Sequence, residues 1–479
     1  MTKQPQSPDL ELPQLAIAYA SGAFTPSTLV EHILGEITRR GADGVWISVV
    51  AREDALARAS HLESLPRRER QALPLWGVPF SVKDCIDTVG LPTTSACPGF
   101  SYQPAKNSPA VERLLAAGAI LIGKTNMDQF ATGLVGVRSP YGVARNPFDP
   151  AYIPGGSSSG AAVSVSAGLV SFALATDTGG SGRVPAAFNN IVGLKPTRGL
   201  ISGVGSVAAC RSIETLSIFA LTVGDAQAAF DVARGYDEED PFSRTGAPAA
   251  VRPLPAEFRF GVPAPQWLDF FGNADAAALF SKAVARLQNL GGRKVEVDYA
   301  PFAEINDLLF QGPWLADRYG ALRQFVDKRP EALFPVTRDI LLGGRDISGG
   351  DVFAAQQRLN ILKRQIEKLW NEIDILIVPT TGTIYRIDEV AADPITLNAR
   401  LGTYTNFVNL ADLSAVAVPS GFLPNGLPQG VTVIAPAFAD HHATALARRF
   451  HDAGLPLGAR HVRPAASPVH GSRDKETVS

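Results

Sequence analysis

Between Pro154 and Arg198 the chain reads PGGSSSGAAVSVSAGLVSFALATDTGGSGRVPAAFNNIVGLKPTR, and glycine and serine crowd into two clusters, Gly155 to Gly160 and Thr176 to Gly182. Glycine at this density weakens helices and strands, so a chain that concentrates it beside hydroxyl side chains needs sharp turns or a close backbone approach to something bound. The stretch therefore reads as an active site, and the rest of the chain can be tested against that reading.

Composition narrows the alternatives. The 479 residues are 46% apolar and 19% charged, which excludes a disordered chain and predicts a large core. Basic and acidic residues nearly cancel at 44 against 46, so nothing marks a surface for nucleic acid or an anionic membrane. A small-molecule ligand fits better. Cys85, Cys97 and Cys210 form neither a disulfide framework nor a metal-binding spacing, and no metal or cofactor is expected. The N-terminus lacks an apolar run suited to a leader or a spanning helix, so the expected compartment is the cytoplasm.

Periodicity predicts an α/β layered protein. Thr25-Pro26 opens an amphipathic helix carrying Leu29, Val30, Ile33, Leu34 and Ile37 on one face, and a second helical pattern runs from Glu53 to Leu62. Short apolar runs at 75–84, 119–123 and 169–175 alternate with helical patterns at 109–117 and 159–167. That alternation argues for a largely buried sheet. Further runs at 373–379, 415–419 and 429–434 are read as returning to it, after a more helical and more charged middle region. The expected division is an N-terminal helical segment over 1–65, a catalytic domain over 66–462 with a helical insertion at about 224–370, and a mobile tail over 463–479.

A serine hydroxyl needs a base to become a nucleophile, and the usual base is histidine. All seven histidines lie outside residues 70–200. Gly156-Ser157-Ser158-Ser159-Gly160 matches the nucleophile elbow G-x-S-x-G, but that elbow needs a strand leading into it, and Pro147, Pro150 and Pro154 interrupt the approach. Lysine is the other candidate base, provided burial or a neighbouring cation favours its neutral form. Lys83 ends the apolar run Val78-Pro79-Phe80-Ser81-Val82 and so fits, but these residues alone favour the plainer reading of a surface lysine paired with Asp84. Ser158, Ser159 and Thr176 read as turn and capping hydroxyls, Asp177 as a brace of the glycine loop, and Arg183 either as a structural ion pair or as a charge that keeps Lys83 neutral.

The segments Gly77 to Asp84, Pro154 to Gly160, Thr176 to Ser181 and Gly193 to Thr197 together resemble the amidase signature family over much of residues 70–215. The resemblance implies an α/β amidase signature fold with a central mixed β-sheet covered by helices on both faces. It also implies a Ser-Ser-Lys triad in which Ser181 is the nucleophile, Ser157 the bridging serine on a cis peptide, and Lys83 the base. The backbone amides of Thr178, Gly179, Gly180 and Ser181 would form the oxyanion hole, where glycine lets a carbonyl approach without a Cβ clash.

Asp128 to Gly133, Arg138 to Gly142, Ser181 to Asn190 and Gly312 to Tyr319 resemble the allophanate hydrolases more closely than generic amidases. In those enzymes the arginine matching Arg318 holds the substrate carboxylate, a role suited to a guanidinium fork. Gly133 belongs to the same set of substrate-binding positions. One departure bears on the substrate: Phe310 stands where allophanate hydrolases carry a tyrosine, which removes a hydroxyl donor. The chain is also shorter than relatives with an extra C-terminal domain, and related shorter enzymes act on guanylurea. The expectation is thus a hydrolase that releases ammonia from a small carbamoyl-urea substrate, allophanate or guanylurea, with a homodimer possible. Two alternatives are the amidase subunit of a glutamine-dependent transfer-RNA amidotransferase and an amidase for other small amides.

Overall fold

The computed structural model describes residues 8–246, 254–310, 312–452 and 457–459, and the expected tail over 463–479 lies outside them, as does the side chain of Phe310. Eleven strands form one mixed sheet among these residues: β1 (Trp46–Val49), β2 (Pro79–Lys83), β3 (Ile120–Thr125), β4 (Phe172–Asp177), β5 (Val192–Lys195), β6 (Thr215–Ala220), β7 (Phe258–Pro263), β8 (Gly292–Val297), β9 (Ile375–Pro379), β10 (Leu413–Phe422) and β11 (Pro428–Pro436). Their order across the sheet is β1-β3-β2-β4-β6-β5-β10-β11-β9-β7-β8. β2 runs parallel to both β3 and β4, and β7 runs parallel to both β8 and β9; the other pairs are antiparallel.

Every residue of β2, β4, β6 and β9 is buried, as befits strands covered on both faces by helices. The anticipated apolar runs become β2, β3, β4, β9, β10 and β11, and the last three do return to the same sheet. β5 and β6 have no counterpart among the strands anticipated above. The middle region also differs from its expectation as a helical insertion: it supplies β7 and β8, which close one side of the sheet. β8 is an edge strand whose Arg293, Lys294 and Glu296 give it no apolar run to be read from, and charge on an exposed edge discourages further pairing. Between the helices of residues 1–65 the chain supplies β1, which pairs with β3.

The parallel pairing of β2 with β4, in which Val82 lies opposite Leu174, positions the site. Both strands end at the same side of the sheet, one on Lys83 and the other on Thr176-Asp177. The fully buried helix Ser159–Ser166 packs across them, and its small side chains allow that close approach.

Candidate active site

Three side chains that are far apart in sequence meet at the ends of β2 and β4. Lys83 Nζ lies 2.7 Å from Ser157 Oγ, and Ser157 Oγ lies 2.9 Å from Ser181 Oγ. All three residues are buried. Ser157 follows a cis Gly156–Ser157 peptide just ahead of the helix Ser159–Ser166, and its carbonyl accepts the Asp128 N–H at 3.0 Å. Ser181 sits in the turn that leaves β4. No strand leads into the 154–158 segment, so Gly156 to Gly160 is not a strand-borne elbow.

Lys83 does not pair with Asp84. That carboxylate accepts from Thr94 and lies 3.6 Å from Lys124 Nζ, so a different lysine answers its charge. Burial lowers the Lys83 pKa from its ordinary value, and the acidic groups of Cys85, Glu214, Asp128 and Asp177 only partly oppose this. A second partner for the amine is Thr176 Oγ1 at 2.8 Å. The capping role that the sequence suggests for Thr176 is therefore replaced by a contact with Lys83, which only the alignment of parallel β2 and β4 reveals.

The turn after β4 is held from within. Asp177 Oδ1 accepts the Gly180 N–H at 2.9 Å and Asp177 Oδ2 accepts the Gly182 N–H at 2.9 Å. Arg183 binds both carboxylate oxygens at 2.8 Å, then reaches Thr405 O at 2.9 Å and Asn409 Oδ1 at 3.0 Å. Burial pushes the Asp177 carboxyl up, but the Arg183 ion pair outweighs it and holds the group below the usual carboxylate range. Arg183 is thus a structural ion-pair partner.

Gly180, expected among the oxyanion donors, already gives its N–H to Asp177. No acceptor is found among the described residues for the N–H groups of Thr178, Gly179 and Ser181. Gly180 has φ +141°, which favours glycine at this corner. Thr178 Oγ1 donates to Glu214 Oε2 at 2.8 Å, the same oxygen that takes the Ala209 N–H at 2.8 Å. Burial raises the Glu214 carboxyl above its ordinary range. Glu214 escapes a reading of the sequence, because nothing local marks a carboxylate that meets the turn from the approach to β6.

Two of the expected substrate-binding residues, Arg318 and Gly133, lie in adjoining segments. Arg318, 4% exposed in the helix Trp314–Lys328, contacts Thr132 Oγ1 through Nη1 at 3.4 Å, and its Nε has no hydrogen-bond partner among the described residues. It joins no ion pair among the described residues. Thr132 precedes Gly133, so the structure brings Arg318 and the Gly133 segment together. Gly133 has φ +153°, and a Cβ there would lie 2.7 Å from Asp128 Oδ2, so this position requires glycine. Phe310 ends the helix Ala300–Phe310, whose Leu309 reaches the Gly179 turn.

Comparison with known proteins identifies the family. The family model described as Amidase matches residues 30–443. Urea amidolyase of Saccharomyces cerevisiae is 42% identical over 424 residues, covering 88% of this chain but 23% of that protein. The chain therefore spans about a quarter of that relative's length. A glutamyl-tRNA(Gln) amidotransferase subunit of Symbiobacterium thermophilum is 37% identical over 461 residues, covering 90% of this chain and 93% of that one. Among solved structures, Kluyveromyces lactis allophanate hydrolase superposes with a TM-score of 0.90 at 40% identity, covering 96% of this chain and 76% of that one. The chain belongs to the Amidase family.

Proposed function

We propose that this chain is an amidohydrolase that releases ammonia from allophanate, with Ser181 as nucleophile, Ser157 as proton relay and Lys83 as base. The observation that carries the reading is the continuous line from Lys83 Nζ through Ser157 Oγ to Ser181 Oγ, at 2.7 Å and 2.9 Å. Neutral Lys83 takes the Ser157 proton as Ser157 takes that of Ser181, and Ser181 Oγ attacks the carbamoyl carbon. The N–H groups of Thr178, Gly179 and Ser181 receive the oxyanion. The relay then returns a proton to the departing nitrogen, the C–N bond breaks, ammonia leaves, and water hydrolyses the acyl-enzyme by the same path.

The substrate side rests on Arg318. A buried guanidinium with an unpartnered Nε and one long contact is a group held for an anion, and a carboxylate at the far end of allophanate satisfies it. The likeness to urea amidolyase and allophanate hydrolase supports the same substrate. Phe310, which lacks a hydroxyl, is the observation that favours guanylurea. The three free buried cysteines suit a reducing compartment such as the cytoplasm, and no helix among the described residues is long and apolar enough to cross a membrane.

The test is a panel of kcat/KM values for allophanate, guanylurea, biuret and a long-chain primary amide. Allophanate should lead it. A preference for the long-chain amide would overturn the substrate assignment, and ammonia release that required an added protein partner would favour the transfer-RNA amidotransferase reading instead.

A further inference from the structure

Asn406 precedes the short helix Phe407–Leu410, and the polar groups around it are engaged. Thr405 Oγ1 donates to Gly179 O at 2.8 Å, Thr405 O accepts from Arg183, and Phe407 N donates to Asn306 Oδ1 at 2.6 Å. The Asn406 carboxamide stands apart from this network. It is 4% exposed, it caps no N–H of the helix that follows, and its Oδ1 has no hydrogen-bond partner among the described residues. Neither packing nor capping accounts for a buried carboxamide oxygen left unpaired, since burial without a partner is unfavourable.

Its location suggests what the oxygen is for. A Cβ built on Gly179 would lie 3.1 Å from Asn406 Oδ1, so the carboxamide abuts the turn that carries Ser181. On its other side Asn406 lines an open cavity of about 480 Å³, together with Trp267, Tyr299, Asn306, Arg400 and Thr403. Asn406 thus stands between solvent-accessible space and the oxyanion turn, on a backbone fixed at both neighbours.

We propose that Asn406 is a substrate-contacting specificity residue whose Oδ1 accepts an N–H from the ureido group of the substrate while the carbamoyl carbon is held at Ser181. The inference rests on the reading of the substrate as a carbamoyl urea and adds the contact that would distinguish a ureido group from a plain amide. A site built to receive a hydrogen bond rejects an analogue lacking the donor far more strongly than an apolar pocket rejects a missing methylene. Arg318 would read the charge at one end of the substrate, and Asn406 would read its nitrogen.

The test compares two reactions of the full chain. One is kcat/KM for allophanate, or for guanylurea if that is the faster substrate. The other is the rate at which a small fluorophosphonate without N–H groups phosphonylates Ser181 with loss of fluoride. Asn406→Ala, and Asn406→Leu as a shape-conserving second variant, should lower the first by about 10- to 100-fold and the second by less than about threefold. A kcat/KM within about threefold of the parent in both variants would overturn the proposal. So would a loss matched by an equal loss of phosphonylation, because that would show a displaced turn and not a missing substrate contact. A parent enzyme inactive on both ureas but able to hydrolyse other amides would defeat the substrate reading itself, a result distinct from either variant outcome.

Discussion

Arg183 and Arg318 are both buried, in opposite states. Arg183 binds both oxygens of Asp177, a backbone carbonyl and the Asn409 side chain. Among the described residues Arg318 has one long side-chain hydrogen bond, to Thr132 at 3.4 Å, and an Nε with no partner. The difference lies in what surrounds them: the fully bonded Arg183 is part of the scaffold, whereas the under-bonded Arg318 is the group proposed above to bind the substrate carboxylate. The same contrast separates Lys124, which lies near Asp84, from Lys83, which among the described residues donates to the hydroxyls of Ser157 and Thr176.

The strongest way to break this comparison is to remove the scaffold arginine. Arg183→Met strands the buried Asp177 carboxylate and should destabilise the fold by about 3–5 kcal/mol in chemical denaturation, with activity lost as the oxyanion turn loosens. The parent should also lose stability as pH falls through the lowered Asp177 value: the folded state holds that carboxyl ionised below the usual range, so its contribution is present above the unfolded value of about 3.9 and disappears in acid. Arg183→Met should lack that acid transition.

Next is the base. Lys83→Ala should lower kcat by about 10²- to 10⁴-fold without loss of the folded state in a thermal melt. In the parent, kcat/KM should rise with pH along an acidic limb as the amine deprotonates. Because burial lowers the Lys83 pKa, that limb should lie below the ordinary lysine range, and a limb at the ordinary value would contradict the assignment.

Arg318→Met is the counterpart of the first variant and should behave differently. Its stability should stay within about 1 kcal/mol of the parent, because no protein carboxylate loses a partner, while kcat/KM for allophanate should fall by a factor equivalent to about 1.5–3 kcal/mol. A large loss of stability would mean that Arg318 belongs to the scaffold after all. The smallest effect is expected of Phe310→Tyr, which should improve kcat/KM for allophanate over guanylurea by roughly tenfold or less if the added hydroxyl reaches the carboxylate.

How far the sequence foretells this arrangement depends on whether a residue acts through its neighbours in the chain. β2, β3 and β4 are legible because they are short apolar runs bounded by glycine, proline or charge, and Lys83, Ser157 and Ser181 are legible because they sit in motif segments. β8 is not, since an edge strand carrying Arg293, Lys294 and Glu296 shows no buried-strand pattern. Thr176 and Glu214 are not either. Thr176 meets Lys83 only because two strands bring together residues 93 apart in sequence, and Glu214 meets Thr178 across a separation of 36. The bond from the Gly180 N–H to Asp177 is not legible in the sequence either, because a glycine turn supplies several donors and only its geometry shows which one Asp177 takes.

The most direct test of the central claim is ammonia release from allophanate by the purified chain and by Ser181→Ala. The account predicts steady release by the parent and none above the uncatalysed background in a variant that retains its thermal melt. Undiminished release by Ser181→Ala would contradict it, because the nucleophile would then lie elsewhere.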